Sequence, residues 1–195
     1  MLNSKYVAEK FVAPSPAAEQ MGHTFAFFFE TILAQDIDPI LQKHGLSLST
    51  FDPNQWYRMQ TVLNVMQDVY ASDNNVSQKL VSMGIRAAET FPIPPEAHTV
   101  KEAIQAAISM ADQMYRNVPR GFGQSIHVSG DRHLQMFSNV PFADDSVYGA
   151  FWGIIKRYKP EGNAFVMRNI DNPNPKEHPG TCYDIKWGAT SDDIA

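Results

Sequence analysis

Apolar residues recur at helical spacing as far as about Pro119, and short β-prone runs appear after it, and this one change of character constrains the fold more than any other feature of the chain. Before it, Val100, Ile104, Ile108, Ala111 and Tyr115 repeat with the 3.6-residue period of one helix face. After it, Tyr183, Ile185 and Trp187 alternate with Asp184 and Lys186, the pattern of a strand with one face on a core. Helices and strands are thus segregated along the chain. That order predicts an α+β fold, a helical bundle followed by a four-stranded antiparallel sheet, and not a doubly wound one.

Local signals divide each half. Ser15–Pro16 has the form of a helix start, with Met21, Phe25, Phe28, Phe29 and Leu33 on one stripe, so a helix is expected from Ser15 to about Gln35. A short helix over Pro39–Lys43, stopped by Gly45, follows. Asp52–Pro53 repeats the start signal ahead of Trp56, Met59, Leu63, Met66 and Tyr70. The polar run from Ser72 to Asn75 reads as a turn. Val76, Leu80, Met83, Ala87 and Phe91 mark a further helix, ended by Pro92–Ile93–Pro94–Pro95. Thr99 and Glu102 form a T-x-x-E capping box for the helix that ends before Pro119.

The second half reads β–β–α–β–β. Ser125–Ser129 and His133–Val140 make a hairpin around Gly130–Asp131. Asp144 or Asp145 is expected to cap a helix carrying Val147, Phe151, Ile154 and Tyr158. Two strands, Ala164–Met167 and Cys182–Trp187, flank a long Asn- and Pro-rich connection. One domain is expected, with 1–45 as a helical extension, 46–118 as the helical part and 119–195 as the sheet part.

Composition removes several function classes. The net charge is −5, and the densest basic cluster, Lys156, Arg157 and Lys159, sits where a helix ends, so no nucleic-acid partner is expected. The single cysteine, Cys182, permits neither an internal disulfide nor a multi-cysteine zinc site. The Phe25–Phe29 patch is broken by Glu30 and falls far short of the roughly 20 apolar residues of a membrane span. Residues 1–22 lack a signal-peptide h-region. A soluble, cytoplasmic protein is the expectation.

The β–β–α–β–β order, with its helix of the type Tyr148–Gly149–x–x–x–Gly153, resembles a known superfamily. This is the fold shared by haem–nitric-oxide-binding domains, 4-vinyl-reductase ligand-binding domains and TRAPP-type trafficking subunits. The resemblance runs from Leu46 to Gly188. It rests on the element order, on Ala107–Val118 leading into a glycine-containing loop, on Asn139–Val140–Pro141–Phe142, and on the closing Gly180–Trp187 strand. It implies a sensor or adaptor domain that binds a small hydrophobic ligand between helices and sheet, and not an enzyme. By the same resemblance a haem site needs a proximal histidine on a helix and a Tyr-x-Ser-x-Arg motif. The hairpin instead reads His127–Val128–Ser129–Gly130–Asp131, so haem is not expected, and His98 is the one axial candidate.

The residues suggest further sites. Phe28, Met59, Met66, Phe151 and Trp152 are expected to line an apolar pocket, since flexible Met and aromatic side chains suit adaptable cavities. His127 and His133 flank the hairpin turn and are a possible metal pair, with two exposed strand histidines as the plainer reading. Cys182 has no base beside it in sequence and reads as a buried packing residue. Gly121–Phe122–Gly123 follows a helix, the wrong order for a dinucleotide fingerprint. Gly149 and Gly153 share a helix face and read as a device for close packing. The alternative to a ligand-binding domain is a homo-oligomeric assembly protein, a homodimer joined through the Ser15–Gln35 helix and its Phe25, Phe28 and Phe29. A haem-based gas sensor is the second alternative.

Overall fold

The computed structural model describes residues 5–26, 32, 34–72 and 76–194. In order they form β1 (Glu19–Met21), a 3-10 turn (Gly22–Thr24), α1 (Ala34–Lys43), β2 (Trp56–Arg58), α2 (Met59–Ala71), α3 (Val76–Thr90) and α4 (Val100–Gln113). There follow β3 (Tyr115–Arg116), β4 (Gly123–Gly130), β5 (His133–Asn139), α5 (Asp144–Tyr158), β6 (Ala164–Ile170), β7 (Thr181–Gly188) and α6 (Ser191–Ile194). The fold is α+β, with the helices first and the β–β–α–β–β unit last. The large sheet is antiparallel in the order β4–β5–β7–β6. Leu134, Met136, Met167, Tyr183, Ile185 and Trp187 are buried on its inner face and join the core of the helices.

The helix expected from Ser15 is not formed. Residues 19–21 are instead the middle strand of a small sheet ordered β2–β1–β3. Gln20 lies opposite Tyr57 on one side and Tyr115 on the other. Strand partners that are distant in sequence satisfy the backbone groups a helix would have satisfied locally. The Ser15 hydroxyl, read as a helix cap, donates to the Asn117 carbonyl at 3.0 Å. Phe25 is buried among Phe51 and Tyr57, so it contributes nothing to an exposed dimerisation patch. Phe28, Phe29 and Leu33 lie outside the described residues. The other early start signal, Asp52–Pro53, makes a turn that leads into β2, and α2 begins only at Met59.

The capping box is present as read. Thr99 Oγ1 accepts from the Glu102 amide at 3.2 Å, and Glu102 Oε2 accepts from the Thr99 amide at 3.0 Å. Tyr115, expected at the end of this helix, belongs to β3. Asp144 and Asp145 do not cap α5, whose N-cap is Ala143 without a side-chain bond. Asp144 is drawn elsewhere: its Oδ1 accepts from Lys10 Nζ and from Thr181 Oγ1, both at 2.8 Å, and ties the N-terminal segment and β7 to the start of α5.

Gly149 and Gly153 do what their shared face suggested. A Cβ on Gly149 would stand 2.1 Å from the Val81 carbonyl oxygen, and one on Gly84 would stand 2.4 Å from that of Ser146. A Cβ on Gly153 would meet that of Ala88 at 2.7 Å. Helices α3 and α5 therefore touch backbone to backbone, which only glycines at the crossing permit. Introducing valine at Gly149 forces the helices apart. We expect Gly149→Val to lose about 3 kcal/mol or more, at the upper end of overpacking costs, read as a lower urea midpoint at unchanged slope.

The carboxyl of Glu102 is held below the usual carboxylate range by the His98 amide, then by the Thr99 hydroxyl and amide. Its folded pKa is depressed, so its contribution to stability is present above the unfolded value, about 4.3, and fades as pH falls through the folded one. The difference in Tm between the protein and Glu102→Gln should therefore be present at neutral pH and shrink below about pH 4.

Candidate functional site: an apolar cavity with unpaired acceptors

Beside the α3–α5 crossing, the small residues that let the helices meet leave space. A cavity of about 390 Å³ lies between α3, α4, α5 and the β1 region, toward the small end of the roughly 300–1,000 Å³ of small-molecule sites. Its floor is built from small side chains, Gly84, Ala87 and Ala88 of α3, Ala107 and Ala111 of α4, and Ser146 and Ala150 of α5. Its walls carry Phe25, Met66, Phe91, Phe142 and Phe151, with His23 at an exposed edge.

Two polar groups stand out in these surroundings. Gln20 is 1% exposed, and its Oε1 has no hydrogen-bond partner. Gln124 Oε1 is buried and likewise unpartnered. Both residues line this cavity. A buried acceptor without a partner costs about 1–3 kcal/mol, so their placement is expensive for the protein alone. The hydroxyls along the same wall are already committed: Thr24 donates to the Met21 carbonyl and Ser146 to the Ala143 carbonyl, both at 2.7 Å. Tyr115 also lines the cavity, and burial, with the Asp112 carboxyl as a smaller cause, pushes its phenol far above the ordinary value.

The five residues expected to line a pocket fare differently. Met66 and Phe151 line the cavity. Met59 is fully buried in the core and does not reach it. Trp152 lies on the side of α5 that faces β6, against Phe165 with Lys156 over its ring. Phe28 lies outside the described residues. Both glutamines were missed. No motif marks them, since a buried glutamine reads as any polar residue until its neighbours are known.

The remaining candidates lie elsewhere. His98 is exposed and borders a separate groove with Lys101 and Arg157, away from the cavity. The strand register sets His127 opposite Gln135, so His127 and His133 share the outer face of the sheet. His133 Nε2 is bonded to Asp184 Oδ1 at 2.6 Å, and among the described residues no group of three or more His, Cys, Asp or Glu is placed to hold a metal. Cys182 is buried, and burial, with Asp184 adding to it, pushes its thiol up to about 11, so no thiolate forms at neutral pH. On that outer face Ser125 Oγ approaches His178 Nδ1 at 3.3 Å, and the His178 ring stacks on Phe137. Among the described residues, no helix is long and apolar enough to cross a membrane.

Several solved structures share this fold. The Cs H-NOX, carrying 4-cyano-L-phenylalanine at site 5, matches with a TM-score of 0.63 at 14% identity over 86% of this chain and 96% of that one. A mutant of the T. tengcongensis H-NOX gives 0.58 at 11% identity over 85% and 92%. An H-NOX protein from S. oneidensis in the Fe(II)NO state gives 0.56 at 11% identity over 86% and 99%. The chain has the H-NOX fold. No family model and no curated protein matches it. The likeness is one of fold, and of the three groups named from the sequence it is to the haem–nitric-oxide-binding domains.

The cavity can be tested for haem on its own residues. Haem iron takes an axial His, Cys or Tyr, with Met serving only opposite a His, and the two propionates call for cations. Among the described residues the one lining histidine, His23, sits at the edge, its Nε2 3.1 Å from Asn54 Oδ1. Tyr115 is held protonated, and the described lining contains neither Lys nor Arg. Among the described residues the donor set does not fit haem.

The unpaired acceptors make a prediction about stability. Gln20→Met keeps the length of the side chain and removes a buried oxygen that has no partner. We expect a gain of about 1 kcal/mol, read as a Tm higher by about 2–4 °C.

Proposed function

We propose that this chain is a non-catalytic sensor or adaptor domain that takes a small, largely apolar molecule into the cavity between α3, α4, α5 and β1. The observation that carries this reading is a mainly apolar cavity of about 390 Å³, bordered by two glutamines whose Oε1 atoms are buried without a partner. A protein selected for stability alone would fill the space and remove the acceptors, whereas a binding site tolerates both. The cavity's position suits a sensor. Gln20 and Tyr115 come from the small sheet, Gln124 from the large one, and most of the rest from helices, so one ligand would touch every layer of the fold.

A second reading, a haem-based gas sensor, draws its support from the solved structures. Work on proteins of the same fold concerns haem distortion and an Fe(II)NO state. That likeness favours haem over a haem-free domain, while the cavity's own residues favour a haem-free ligand. A homodimer remains a proposal on either reading.

One measurement separates the two. The purified protein is mixed with excess hemin, passed over a desalting column, and examined for a Soret band; in parallel its Tm is followed with 1-aminonaphthalene added. The haem-free reading expects no retained Soret band and a Tm that rises with probe concentration, by mass action on the folded state. A retained one-to-one Soret band with a flat response to the probe would replace it with the haem reading.

A further inference from the structure

The small sheet reaches the cavity from two of its strands. Gln20 of β1 lies directly opposite Tyr115 of β3, and both border the cavity. Residues directly opposite in an antiparallel pair share one face of the sheet, so the amide and the phenol arrive together. The other neighbour of Gln20 is Tyr57, whose hydroxyl donates to the Asp52 carbonyl at 3.1 Å. Tyr115 has no such outlet, and among the described residues its hydroxyl donates to nothing. Burial holds that phenol far above its ordinary pKa, so its proton stays in place. Gln20 is 1% exposed, with its Oε1 enclosed and unpartnered. Its Nε2 has no acceptor among the described residues either, and is the end of the amide left for the cavity.

The hydroxyls around these two groups have spent their protons. Thr24, Thr90 and Ser146 donate to the Met21, Ala87 and Ala143 carbonyls. The protons left unspent are those of the Tyr115 hydroxyl and the Gln20 amide, with the Gln124 amide of β4 as a third source. Buried N–H groups are seldom left without an acceptor, while oxygens with an idle lone pair are commoner, and a buried tyrosine hydroxyl usually has a partner. Charge is disfavoured by the same surroundings. Among the described residues, none of Lys, Arg, Asp or Glu borders the cavity, so an ionised ligand would leave water with no counter-ion to meet it. An anion would in addition face the Asp112 carboxyl, which stands close enough to Tyr115 to act on its phenol.

We infer that the cavity selects an uncharged, mainly apolar molecule that accepts hydrogen bonds, a carbonyl on a compact ring frame, from the Tyr115 hydroxyl and the Gln20 amide. The inference rests on the proposed reading of the cavity as a ligand site and adds the chemistry of its occupant. A site that hydrogen-bonds a polar group of its ligand rejects the analogue lacking that group, because the site's own polar groups are then left unpaired.

Four bicyclic probes of similar size test it on the full chain by calorimetry: 1-indanone, which accepts; indane, which does neither; indole, which donates; and indane-1-carboxylate, which is charged. The ketone should bind at least about tenfold more tightly than indane, a difference of about 1.4 kcal/mol. Indole should gain nothing over indane, and the carboxylate should not bind. Tyr115→Phe keeps the ring and removes the hydroxyl, and Gln20→Met removes the amide. Each should weaken 1-indanone by about tenfold while leaving indane unchanged or improved, a split that general unfolding of the variant would not produce. Equal binding of 1-indanone and indane, or tightest binding of indole or of the carboxylate, would overturn the inference while the cavity stood as a ligand site. Failure of all four probes to bind would overturn the inference and the reading beneath it.

Discussion

The crossing of α3 and α5 sets the terms for everything around it. Gly84 and Gly149 bring two main chains into direct contact, and Gly153 sits against Ala88. Side chains at the crossing are absent by necessity, because the Val81 and Ser146 carbonyls occupy the places where Cβ atoms would go. Ala87 and Ala150, the small residues beside it, become cavity lining. Close packing at one point thus creates the space beside it. A bulkier face on either helix would have filled the cavity but broken the crossing.

The small sheet completes the site from the other side. Its middle strand is three residues long and draws its partners from the segments around Tyr57 and Tyr115, both far along the chain. Such a strand carries almost no local preference and exists because the fold brings β2 and β3 to it. It places Gln20 inside the protein with a free acceptor, a state the protein tolerates at a cost in stability. Stability and binding are in opposition at this residue, as expected where a site is kept ready for a ligand.

Likeness in fold and likeness in site diverge here. The fold matches H-NOX structures over most of both chains at 11–14% identity. The described side chains facing the cavity lack the cations and the available axial donor that haem calls for. A scaffold is preserved by its backbone contacts, which many sequences satisfy, whereas a cofactor site depends on a handful of individual atoms.

The sequence by itself determined the elements whose signals are local. The Thr99–Glu102 capping box needs residues three apart, the α4 stripe and the β7 alternation need one turn or one strand, and the Gly149–Gly153 face needs one helix. All of these formed, and with them the α+β order and the sheet. Only the tertiary structure decided what Ser15–Met21 became, because strand pairing with distant residues outweighed a local helix start. It also turned Met59 into the core, set Trp152 against β6 and brought Gln20 and Gln124 to one cavity. The physical reason is common to these cases. A cap or a stripe is an interaction between neighbours in the chain, but a cavity is the space left between elements, and what lines it depends on how they pack.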